Sequence, residues 1–458
     1  MSNMFTDFET ESAGFSSNWN SSRASEDSSV QTTEVRTADQ DLQAVDTSST
    51  AVQTEYSDVQ QLSAAYDETR LAAFLGRVCP AVVQELDRVC RSNALNTYTL
   101  AQDPDSDVRE LLKLSPPADN MKVSQLSWSC TGSVLAVAHS HTLHPSWCSH
   151  QGHIALYNVD RESKSPSRSL EPMSCVRSIS MHPYLSSVVV AGTFSGEVLV
   201  WDTAREGSEA SLVNVSRTTH ADSVTQVRWV LGTGTAVTLV SSGTDGHLYF
   251  WKVSPQLMSY QVLERYCCDT TNLQAGISCF AFPHHKQDMF VVALEGGALH
   301  HCSASAAKPV ASEHLVKDPV ISSFEPQPAT VTCVEFSPHH DDVFATVSTD
   351  QTIRIYSLFQ RRAEREICGV GSLVGLCWAP AQAHVLAGWG DQAVVSLYNS
   401  HTGDTLSALT PDNTENKAHI SAAAFNTKST RLFAIGDIEG TTHVWKIPSH
   451  IPTKPMHL

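Results

Sequence analysis

The sequence predicts an all-β propeller of seven blades. Three observations carry that prediction: a unit that recurs seven times, an aromatic or Met at one equivalent place in each unit, and a Tyr or Trp closing most third strands. The units begin at Leu126, Ile179, Val227, Phe280, Val334, Leu376 and Ala423. Each reads as an apolar strand, a Ser/Pro-rich turn, a second apolar strand, a Gly/Asp turn and a third strand. The equivalent place holds Trp128, Met181, Trp229, Phe282, Phe336, Trp378 and Phe425. Third strands close on Tyr157, Trp201, Trp251, Tyr356, Tyr398 and Trp445, and a degenerate fourth unit ending near Leu299 fills the double-length gap after Trp251. Strands spaced by Gly, Asp, Asn and Ser turns at a period of roughly 40–50 residues suit a ring of four-stranded blades. One blade cannot bury its faces alone; radial packing covers both and leaves only short, protected edges.

The expected organisation is an acidic tail over residues 1–66, an amphipathic helix over 67–92, a linker with a possible ring-closing strand over 93–121, the propeller over 122–450 and a short C-terminal tail over 451–458. Of the formal net charge of −18, the first 69 residues carry −11, with 13 acidic against 2 basic residues. That tail is rich in Ser, Thr, Asp, Glu and Gln, and it buries too little apolar surface to offset the entropy of ordering, so it is expected to be disordered alone. It holds nearly one peptide twice, SSVQTTEV at 28–35 and STAVQTEYS at 49–57. Val30, Gln31 and Thr32, and again Val52, Gln53 and Thr54, form extended, Gly- and Pro-free segments suited to adding a strand to another protein's sheet edge. Two weak sites on one chain gain through effective concentration if the receptor is a dimer.

The helix follows from spacings of three and four among Leu71, Phe74, Leu75, Val78, Val82, Leu86, Val89 and Cys90. Pro80 falls inside it, so either the helix kinks there or a second helix starts near it. Its apolar stripe is expected to dock in a partner's groove rather than on the propeller. Next, the last unit ends after three strands, so a segment before Lys122 should supply a fourth. Asn96–Leu100 is the best β-prone candidate, and SDVRELLKLSPPADN from Ser106 reads as a short helix and linker ended by Pro116-Pro117.

Several function classes are disfavoured. Nucleic-acid and anionic-membrane binding draw affinity from basic clusters, which the sequence lacks. No run of 18 apolar residues and no basic-then-apolar leader is present, so a soluble intracellular chain without membrane insertion is expected. Twelve cysteines without a CxxC pair read as reduced thiols filling strand positions such as Cys130, Cys279 and Cys333. There is no phosphate loop, no GxSxG elbow and no HExxH, so neither an enzyme nor a cofactor site is expected. The segment 139–153 gathers His139, His141, His144, Cys148, His150 and His153 on a surface loop of the first unit. Structural zinc sites favour paired ligands at fixed spacing, and these are spread over strand and loop positions, so no metal is expected there.

The closing pairs resemble those of WD-repeat proteins. Trp201-Asp202 spells the ending out, and turn aspartates typical of that family stand at Asp245, Asp350, Asp391 and Asp437. The whole arrangement of acidic tail, paired Val-Gln-Thr motifs, amphipathic helix and WD-like units resembles the dynein intermediate chains. Within them, GEVLVWD at 196–202 and AVQTEYSDVQ at 51–60 look most like the chains of the second cytoplasmic dynein, the motor of retrograde intraflagellar transport. The resemblance implies a non-catalytic subunit needed for cilium assembly, placed in the cytoplasm, the cilium with its axoneme and basal body, and the cytoskeleton. It implies that the Val-Gln-Thr motifs bind the hub-type light chain, that helix 69–91 binds the roadblock-type light chain, and that the propeller grips the motor heavy chain. Light-chain dimers would then clamp this chain to a second intermediate chain. The family's hub motif usually reads Thr-Gln-Thr, whereas Val precedes Gln in both copies here. The alternative is a propeller scaffold such as a ubiquitin-ligase substrate receptor, a class that often carries Trp-Asp-x-Arg. Trp201-Asp202-Thr203-Ala204-Arg205 is one residue too long for it.

Overall fold

A computed structural model describes residues 68–91 and 108–447, apart from 145–146, 162, 233–235, 269–274, 287, 311–312, 370, 410–417 and 430. The chain divides into two bodies, Met1–Ser92 and Asn93–Leu458. In the first, Glu68–Arg91 forms one helix, α1, with Pro80 inside it. No second helix starts at the proline. At 100° per residue Pro80 lies about 180° around from Leu71 and Val89, so the hydrogen bond it removes is on the polar side and the apolar stripe stays unbroken.

The second body is an all-β propeller, its described strands arranged in seven separate sheets. The predicted aromatic or Met ends an inner strand in Met121–Trp128, Val176–Met181, Val331–Phe336, Leu373–Trp378 and Ile420–Phe425, Phe282 follows one directly, and Trp229 lies two residues before the end of Val224–Leu231. Middle strands such as Val188–Thr193 and Val385–Gly390 are buried along their whole length, because a sheet covered on both faces has no solvent side. Six sheets have the four strands of a complete blade or more. The sheet of the second unit has three, Val176–Met181, Val188–Thr193 and Val198–Asp202, with only a Trp201–Ser211 bridge beyond them. The expectation of seven complete blades is therefore met for six.

The reason lies in the chain after Asp202. Val213–Asn214 crosses over and pairs in parallel with Ser259–Cys267, the outer strand of the third unit. A hairpin of Lys308–Val310 and Glu313–Asp318, inserted in the degenerate fourth unit, joins that same outer strand. The third sheet thereby reaches seven strands, an enlargement the sequence reading did not anticipate.

Ring closure corrects two expectations. The strand that completes the last sheet is Arg109–Leu114, which runs antiparallel to Thr442–Lys446 with Arg109 opposite Lys446 and Leu114 opposite Thr442. Part of the segment expected to be a helix is thus the closing strand, while the favoured candidate Asn96–Leu100 lies outside the described residues. RELLKL is composed of good helix formers, but Leu112 and Leu114 alternate with exposed Lys113 and fill the seam against Val123, Leu126 and Leu135 of the first unit. Burial on an unfilled sheet edge overrides propensity.

Apolar cores lie between sheets. One cluster joins Ala138 and Ile154 to Ile179 and Val189, the next joins Val190 and Val200 to Val227 and Leu239, and so on around to the last and first sheets. Inner strands are also stitched sideways by side chains. The indole N–H groups of Trp128, Trp229 and Trp378 donate to the carbonyls of Ala424, Ser180 and Glu335 on the preceding inner strand, at 3.1, 3.2 and 3.1 Å.

Candidate functional sites

Along α1 the described stripe residues are open to solvent: Phe74 is 50% exposed, Val82 48%, Leu71 and Leu75 44% each, and Val78 is half-buried. The side chains of Leu86 and Val89 lie outside the described residues, as do Val30, Gln31, Thr32, Val52, Gln53 and Thr54 altogether. Each Leu, Val or Phe fully covered contributes about 1.5–3 kcal/mol, and the length from Leu71 to Val89 is about 27 Å, enough for a helix-in-groove contact.

The propeller offers a central channel of about 410 Å³, lined by residues from every inner strand. Arg228 on the third inner strand forms an ion pair across it with Glu335 on the fifth. Burial pushes the thiols of Cys279, Cys333 and Cys377 up, Cys333 to about 11, so at neutral pH they are protonated and poor nucleophiles. The grouping braces the ring. Cys279 is buried, as expected of a strand filler, while Cys333 is half-buried, as is Cys130, which stands in a turn rather than a strand.

The turn aspartates do the local work their positions imply. Asp245, Asp350 and Asp437 accept the backbone N–H of His247, Thr352 and Glu439 two residues on, and Asp391 accepts that of Ser372. Around Asp245 the bonding runs further. Its carboxylate meets His220 Nδ1 at 3.0 Å, His220 Nε2 meets Ser241 Oγ at 2.8 Å, and Trp251 Nε1–H donates to the same hydroxyl at 2.8 Å. One network ties a loop, two strands and a turn of the third unit.

The histidine-rich segment gives the arrangement that sequence spacing did not. Strands Val134–His141 and His153–Asn158 bracket the loop, as expected. One ligand-type atom each from His144, Cys148, His150 and Cys175 lie within 4.8 Å of one another. Cys175 directly precedes the inner strand of the second unit and was not among the candidates; its only sequence signal is a Cys at a unit boundary. His144 stacks on Phe194 with ring centroids 4.6 Å apart, and His150 stacks on His141 at 4.3 Å. Although burial raises the Cys148 thiol, the N–H of Cys175 and neighbouring hydrogen bonds bring it down to about 7. Burial holds His144 below the usual imidazole range and pushes Cys175 up to about 11.

This geometry is that of a WD-repeat propeller protein. In agreement, the family description "WD domain, G-beta repeat" matches residues 319–357, which run from the outer strand of the fourth sheet through the third strand of the fifth. The chain is 28% identical to "Cytoplasmic dynein 2 intermediate chain 2" of Homo sapiens, over 83% of this chain and 76% of the relative. It is 28% identical to the Mus musculus protein of that name, over 92% and 84%. Similarity to "Cytoplasmic dynein 1 intermediate chain" of Drosophila melanogaster is lower, 22% over 61% of this chain and 42% of the relative. These similarities support a dynein-associated WD-repeat subunit, more like the dynein 2 chains than the dynein 1 chain.

Proposed function

We propose that the chain is a non-catalytic intermediate chain of a cytoplasmic dynein 2-type motor, linking light chains to the heavy chain for retrograde intraflagellar transport and cilium assembly. The single observation that carries this reading is similarity to the dynein 2 intermediate chains over most of the chain, helix and propeller included. The ring, counted as seven units with the three-stranded sheet as one of them, is the platform for the heavy chain. The stripe of exposed Leu71, Phe74, Leu75 and Val82 with half-buried Val78, continuing to Leu86 and Val89, takes a roadblock-type light chain. The motifs Val30-Gln31-Thr32 and Val52-Gln53-Thr54 take a hub-type light chain, and light-chain dimers pair this chain with a second intermediate chain. The place of work is the cytoplasm and the cilium.

The direct test of the helix assignment is Leu75→Asp combined with Val82→Asp in the full chain. Burying two carboxylates in an apolar groove costs several kcal/mol, so roadblock-type light-chain binding should fall at least a hundredfold. The urea midpoint of the propeller should not move. If light-chain binding is unchanged, the stripe is not the docking surface.

A further inference from the structure

We propose that the propeller carries a structural zinc site made by His144, Cys148 and His150 of the first unit together with Cys175 at the start of the second. The cluster is not a by-product of sequence proximity, since Cys175 enters from a different sheet. In a tetrahedral zinc site with Zn–S of about 2.3 Å and Zn–N of about 2.0 Å, neighbouring ligand atoms stand roughly 3.3–3.8 Å apart. Cys148 Sγ and His150 Nδ1 are already 3.9 Å apart, and none of the four ligand atoms is farther than 4.8 Å from another. Closure on an ion therefore needs side-chain shifts of under about 1 Å.

The surroundings fit a metal in two further ways. Both sulfurs accept backbone hydrogen bonds, Cys148 Sγ from the N–H of Cys175 at 3.3 Å and Cys175 Sγ from the N–H of His141 at 3.5 Å. Such bonds orient and stabilise thiolates around a metal. Nε2 of His144 is buried without a hydrogen-bond partner, an uncompensated cost that coordination through that nitrogen would remove. Two thiolates and two neutral imidazoles balance a divalent charge, and this soft and borderline donor set selects zinc over magnesium or calcium. With all four positions filled by protein, the site is closed and structural rather than catalytic.

The ion would tie His144, Cys148 and His150 of the first blade to Cys175 at the start of the second.

The test is metal analysis of the untagged full chain, purified with reductant and without chelator. The expected result is about one zinc per chain, lost from Cys148→Ser and from Cys175→Ser and reduced several-fold in His150→Gln. Because misfolding of a serine variant would also lose zinc, cobalt is loaded into the wild-type chain, where a two-sulfur, two-nitrogen site gives intense visible d–d bands and a thiolate-to-cobalt charge-transfer band. Zinc well below one equivalent with no cobalt spectrum overturns the proposal. So does zinc retained in both serine variants, or recovery of Cys148 and Cys175 as a disulfide when thiols are alkylated in denaturant.

Discussion

Two buried histidines make the fold sensitive to acid. His182 Nδ1 accepts the N–H groups of Tyr184 and Leu185 at 3.1 Å each, so that nitrogen carries no proton, and His139 bonds the Gly440 carbonyl through Nε2. Burial lowers both from the ordinary 6.5 to about 4. Between those pH values the unfolded chain holds protons that the folded chain lacks, so stability falls as pH drops from about 6.5 to about 4. The loss is at most about 3 kcal/mol per imidazole. Urea titrations across that range should show the falling midpoint, and His139→Gln with His182→Gln should flatten it. The His220 network is a second residue-scale lever. Asp245→Ala leaves a buried imidazole and the Ala221 N–H without their acceptor. It should cost about 2–3 kcal/mol in urea denaturation, whereas a cost below 0.5 kcal/mol would mean that the network is incidental. At this scale the sequence showed Asp245 as a turn residue but not His220 or Ser241, because their meeting depends on three-dimensional register. Cys175 stayed hidden for the same reason: its partners lie in a loop of the preceding unit.

Among the elements, strands with strong apolar runs were legible, since each unit repeats the pattern and the aromatic ends fix its register. The closing strand was not. Its need could be read from the missing fourth strand of the last unit, but its place could not, because Arg109–Leu114 pairs with residues more than 300 positions away and its composition favours helix. Leu114→Asp places a charge in a seam where Leu114 is 2% exposed, and should unfold or aggregate the ring. Leu112→Ala should cost about 2–5 kcal/mol, read from the urea midpoint. The crossing hairpin Lys308–Asp318 carried no signal at all, because its pairing is with a neighbouring unit rather than its own. The helix was legible from its apolar spacing, but whether Pro80 would split it was not; Pro80 is tolerated inside one helix because it faces away from the stripe.

For the molecule as a whole, the division of labour follows from what each part can bury. The propeller covers its own sheet faces and is expected to act by its rims and channel, while α1 leaves an apolar stripe that would gain most from a partner. Binding by several short segments gives avidity without a large interface on any one of them.

The measurement that bears most directly on this account is affinity purification of the full chain from ciliated cells with mass spectrometry. It is run beside a variant with Gln31, Thr32, Gln53 and Thr54 all changed to Ala. The account predicts recovery of a dynein heavy chain with hub-type and roadblock-type light chains, with only the hub-type chain lost in the variant. Recovery of a ubiquitin-ligase adaptor with no dynein subunit would contradict it.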